Sequence, residues 1–79
     1  MLIRYLENGA QSATSRVVGG DEAQELKAAL LEKLLTGEVR WVRIYGEKGS
    51  RKREFWTRAR DTGELHCLHE DDPAAWRVA

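Results

Sequence analysis

The sequence predicts an α+β fold of order β-β-α-β-β-β, in which one amphipathic helix packs on one face of an antiparallel sheet. Three observations predict it. Asn8-Gly9 separates two short extended runs, a pair favoured in tight hairpin turns. Ala23, Leu26, Leu30 and Leu34 recur at helical spacing. The runs 38–46 and 53–60 then alternate side by side as strands do. With 79 residues, 42% of them hydrophobic, the chain is expected to be a single domain spanning 1–79, near the size at which one core suffices without staples.

The first strand is Leu2–Leu6. A type I′ turn at Asn8-Gly9 would lead into a second strand, Ser12–Val18, whose Ser, Thr and Ala content suits a solvated edge. Gly19-Gly20 ends the sheet. Asp21 is expected to cap the helix with Gln24 completing a capping box, and Glu22 and Glu25 suit the positive end of the helix dipole. Leu31 and Leu35 widen the apolar stripe, and Gly37 stands where a left-handed C-cap belongs. Lys27 interrupts that stripe, so its stem is expected to lie along the core while its ammonium reaches water.

In the third strand, Glu38–Gly46, Val42 and Ile44 share one side while Trp41, Arg43 and Tyr45 share the other. In the fourth, Arg53–Arg60, Phe55, Thr57 and Ala59 oppose Trp56, Arg58 and Arg60. A basic loop, Glu47–Lys52, joins them. Asp61-Thr62-Gly63 makes a second hairpin with Gly63 left-handed, and Leu65–Leu68 is the last strand. Asp72-Pro73 would begin a helical turn, placing Trp76 over the core.

Charge is distributed unevenly within a chain of zero net charge. Residues 1–39 balance to −2, residues 40–60 to +6 and residues 61–79 to −4. The basic block creates a local field that the neutral total conceals. A lone cysteine, Cys67, excludes an internal disulfide framework. No apolar run is long enough for a membrane span and Met1–Tyr5 lacks signal-peptide features, so no membrane partner is expected and a cytoplasmic location follows by default.

If Val42, Ile44 and Phe55 look toward the helix, then Trp41, Arg43, Tyr45, Trp56, Arg58 and Arg60 look away from it. Aromatic rings beside guanidinium groups suit a protein interface, where Trp, Tyr and Arg are favoured anchors. They also suit stacked bases and phosphates. Two plainer readings compete: the arginines simply cover the rings as cation–π partners, or the faces are reversed and Trp41 and Trp56 belong to the core. Lys48, Arg51, Lys52 and Arg53 at the hairpin tip could grip phosphate or an acidic protein surface, although a solvated charge run is the commoner explanation.

His66, Cys67 and His69 do not make a metal site, because strand alternation sends the two histidines to opposite faces and no second cysteine exists. Cys67 reads instead as a small core residue. The acidic run Glu70-Asp71-Asp72 reads as a helix cap and solvated loop. No serine, histidine and carboxylate are spaced to imply nucleophilic catalysis, and neither a cofactor nor an enzymatic activity is expected.

Residues 53–76, through Trp56, Arg58, Arg60-Asp61, Gly63 and the run Asp72–Trp76, resemble the three-stranded DNA-reading sheets of ethylene-response-type and integrase arm-binding domains. Leu35–His69 resembles the basic sheets of RelE-type ribonuclease toxins. The size and the single helix on a sheet are similar in format to phage-encoded inhibitors, anti-CRISPR proteins among them. The first two resemblances imply nucleic-acid binding or RNA cleavage, the third a protein partner. Neutral total charge favours the third, since a free nucleic-acid binder usually carries a basic domain. The expected function is therefore that of a small, non-enzymatic interaction protein of the phage-inhibitor kind. It would bind a nucleic-acid-handling complex through Trp41, Arg43, Tyr45, Arg51, Lys52, Trp56, Arg58 and Arg60. A nucleic-acid-binding domain using the same face is the alternative, and a small ribonuclease the third.

Overall fold

The computed structural model describes residues 1–46 and 53–69. They form β1 (Leu2–Glu7), β2 (Thr14–Val17), α1 (Gly20–Thr36), β3 (Val39–Tyr45), β4 (Arg53–Arg58) and β5 (Leu65–His69). The five strands make one antiparallel sheet of order β2-β1-β3-β4-β5, with α1 packed against it, as the hydrophobic patterning predicts. β1 lies between β2 and β3 and opposes both. The helix therefore carries the chain across β1 and returns it in the direction of β2.

Turn chemistry departs from expectation in the first hairpin. Ala10 donates its backbone N–H to the Glu7 carbonyl at 3.0 Å, and Gly9 has φ 87° while among the described residues none other than glycine has positive φ. Asn8 is thus not left-handed, which excludes a type I′ turn; the φ signs are those of type II. Six residues, 8–13, separate the two strands, and β2 is shorter than expected.

The helix begins at Gly20 rather than at an Asp21 cap. Gly19 is extended and makes no side-chain cap, and Ala23 donates to the Gly19 carbonyl at 3.4 Å. Asp21 already lies inside the first turn, where its carboxylate acts on the helix dipole and does not cap. At the other end Gly37 caps as expected, with φ 86° and its N–H on the Leu34 carbonyl at 3.3 Å. Ala23, Leu30 and Leu34 are buried and Leu26 and Leu31 partly so. Leu35, some 120° around the helix from that stripe at about 100° per residue, is 48% exposed.

These side chains meet Ile3, Val18, Val39, Val42 and Ile44 in one core between helix and sheet. Val39 and Val42 are three residues apart, and strict alternation would send them to opposite faces. The register between β1 and β3 shifts between Leu6 and Glu7, pairing Leu6 with Trp41 and Glu7 with Val39. Arg40 is the extra residue of a bulge, and this returns Val39 to the core side. The Asp72-Pro73 turn and the placement of Trp76 lie outside the described residues.

Candidate interaction face

Residues directly opposite each other in an antiparallel pair project from the same face, so the register sorts every strand residue. Ile3, Tyr5, Val42 and Ile44 define the helix side. β4 pairs Val42 with Trp56, Ile44 with Glu54 and Arg43 with Phe55. Trp56 and Glu54 therefore lie on the helix side, with Arg58 two residues on, while Phe55 and Thr57 lie on the helix-free side. This corrects the single outward face read from the sequence. β3 projects as expected and β4 is reversed.

The contacts agree with that sorting. Trp56 packs against the core, and its indole Nε1 donates to Glu54 Oε1 at 2.8 Å. Lys27 Nζ, from α1, donates to the same oxygen at 3.2 Å and stands 5.5 Å from the Trp56 ring centroid. The ammonium expected to reach water is instead held half-buried between helix and sheet. Cys67 Sγ lies 4.0 Å from Glu54 Oε1. Burial, and then the Glu54 charge, push its thiol above the ordinary range, against smaller opposing effects of Lys27 and of a backbone hydrogen bond at Phe55. Arg58 Nη1 donates to the Leu35 carbonyl at 2.8 Å, at the C-terminal end of the helix. Trp56 and Arg58 thus hold the helix against the sheet. Arg60 is exposed in the β4–β5 turn. That turn is a four-residue loop closed by Ala59 and Glu64, with Gly63 donating to the Ala59 carbonyl.

The helix-free side gathers Leu2, Arg4 and Leu6 from β1, Ser15 and Val17 from β2, and Trp41, Arg43 and Tyr45 from β3. Arg53, Phe55 and Thr57 come from β4, and His66 and Leu68 from β5. None of these strand residues is acidic. Phe55 is only 4% exposed yet stands apart from the core cluster, and its ring lies 6.1 Å from that of Trp41. The Arg43 guanidinium sits over both, 5.3 Å from the Trp41 centroid and 5.0 Å from that of Phe55. Arg53 stands over Tyr45 at 5.5 Å. At the β2 edge Val17 is 82% exposed beside Leu2.

Of the expected contact residues, this face brings together Trp41, Arg43 and Tyr45, and the register adds Arg4, Arg53 and Phe55. Lys48, Arg51 and Lys52, the acidic run 70–72 and the His69 side chain lie outside the described residues. Arg4 is not legible as a member of this face in the sequence, because it stands in the acidic N-terminal half and only strand pairing places it opposite Arg43. Among the described residues no group of three His, Cys, Asp or Glu converges to hold a metal, and no helix is long and apolar enough to cross a membrane. Comparison with protein-family models, curated proteins and solved structures finds no match, so the face is read from its own chemistry.

Proposed function

We propose that the chain is a non-enzymatic interaction domain that docks an acidic surface of a protein partner through the helix-free face of its sheet. One observation carries this reading: the strand residues of that face supply three guanidinium groups and three aromatic rings but no carboxylate. Cation–π geometry favours protein over nucleic acid as the partner. The Arg43 guanidinium covers Trp41 and Phe55, and that of Arg53 stands over Tyr45, leaving ring faces little room for stacked bases. The edge of the Arg43 guanidinium remains suited to carboxylates, and Val17 adds an apolar rim of the sort protein interfaces use.

Zero net charge supports the same preference, because free nucleic acid rewards an overall basic domain. Within that reading, the partner we favour is a larger nucleic-acid-handling complex, inhibited by occupation of a carboxylate-lined site.

Pull-down from lysate with wild-type protein, Arg43→Gln, Arg53→Gln and Arg58→Gln tests the face, with folding checked by circular dichroism. A partner whose recovery falls at least tenfold in Arg43→Gln but persists in folded Arg58→Gln supports the proposal. Equal recovery by all three variants rejects the face. Titration with labelled single- and double-stranded oligonucleotides at two salt concentrations tests the rival, and tight binding that weakens steeply with salt would transfer the face to nucleic acid.

A further inference from the structure

β2 ends the sheet, and no described strand pairs with its outer edge. Val18 donates its N–H to the Met1 carbonyl at 2.9 Å. Hydrogen-bonded and non-hydrogen-bonded pairs alternate along an antiparallel ladder. Thr14 and Arg16 therefore also bond to β1, while Ser15 and Val17 turn their N–H and C=O groups outward. Gly19 continues this row, with extended backbone at φ −145°. Natural edges are commonly guarded by proline, lysine or a bulge, and Thr14–Val17 has none of these. Its one charge, Arg16, is partnered within the chain by Glu22 at 3.6 Å. Val17, 82% exposed, stands directly opposite Leu2, so an apolar row on the helix-free side stops at the open edge.

We infer that two copies of this chain pair β2 with β2, antiparallel, around a two-fold axis at Val17, joining their five-stranded sheets into one. The occupant is a second copy because the edge is complementary to itself. A two-fold antiparallel pair draws its hydrogen-bonded partners from the outward-facing residues of both strands. With the axis at Val17, this residue exchanges both backbone bonds with Val17 of the second copy. Gly19 donates its N–H to the Ser15 carbonyl of the second copy on either side. The row Leu2–Val17 then continues through Val17 and Leu2 of the second copy, and the exposed valines cover each other. Arg16 meets Val18 of the second copy in this register. An axis at Arg16 would instead set two like charges directly opposite, which repel. The axis is normal to the sheet and keeps both helix-free faces on one side, so the dimer presents the docking surface twice. The pairing itself does not depend on that reading.

Sedimentation velocity of the full chain from about 10 µM to about 1 mM covers the weak association expected of so short an edge. Wild-type protein should move from monomer toward twice the monomer mass across that range. Val17→Lys sets two like charges on the axis and removes the apolar contact, so it should weaken dimerisation about tenfold or more. Because Val17 is exposed in the monomer, this variant should keep the wild-type circular dichroism spectrum. Cysteine cross-linking reads the register, in a Cys67→Ala background that removes the native thiol. Opposed residues of a hydrogen-bonded pair lie about 5.5 Å apart at Cα, a span that a disulfide bridges. Val17→Cys should therefore form disulfide dimers under mild oxidation faster than Ser15→Cys. Wild-type protein that stays monomeric at about 1 mM overturns the inference, as does dimerisation unchanged in folded Val17→Lys or cross-linking fastest at position 15. A chain that stays monomeric while Val17→Lys abolishes partner capture would give the edge to a foreign strand and likewise overturn it.

Discussion

The Arg58 guanidinium reaches the end of α1, where unpaired carbonyls carry the negative end of the helix dipole. Its hydrogen bond to Leu35 adds to that attraction, and one guanidinium nitrogen lies only 3.6 Å from where a Cβ on Gly37 would be. This arginine therefore acts on stability. Arg58→Ala should lower it by about 0.5–1.5 kcal/mol in urea unfolding and leave partner capture by the folded protein unchanged. Arg43 has the opposite profile, since it contacts rings on the face turned away from the helix. Fifteen positions apart in a basic segment, the two look alike in composition, and only strand pairing distinguishes them.

At the level of elements, the seam between α1 and β4 depends on one carboxylate. Glu54 takes the Lys27 ammonium and the Trp56 indole on the same oxygen, which makes a charged residue tolerable on the helix side of the sheet. A double-mutant cycle with Lys27→Met and Glu54→Gln should give a coupling of about 0.5–1 kcal/mol by urea unfolding; a coupling near zero would mean the contact is incidental. Most of the architecture is legible in the sequence, including the element order, the helical stripe, Gly37 as C-cap and the sides of β3. The sides of β4 are not. Phe55 and Trp56 are adjacent large aromatics, so either face can claim an apolar residue, and alternation alone does not say which faces inward. Hydrophobicity favours Phe55 for the core, while the actual arrangement buries Phe55 beneath Trp41 and Arg43 and gives Trp56 a hydrogen-bonded place under the helix. The bulge at Arg40 is equally silent, because an extra residue leaves no compositional mark. Five of the eight expected contact residues thus lie off this face or outside the described residues, and Arg4 is found only through pairing across a 39-residue separation.

For the molecule as a whole, one small core supports everything else. Stability of roughly 5 kcal/mol is expected at this size. Ile3 is fully buried on β1, opposite Ile44 and between the neighbouring strands. Truncating such a side chain costs about 2–5 kcal/mol, so Ile3→Ala should retain at most about 3 of the roughly 5 kcal/mol, visible as a much lower Tm and urea midpoint. A native-like cooperative melt would show that the core tolerates the cavity. The same strand governs the order of assembly. β1 comes first in the chain but needs β3 along one edge, and a two-stranded hairpin by itself is marginal in water. During synthesis β1 and β2 must wait while residues 18–45 are added, about 1–6 s at ordinary elongation rates. Throughout that interval Ile3 has no core to enter, and the newborn hairpin is a ready substrate for chaperones.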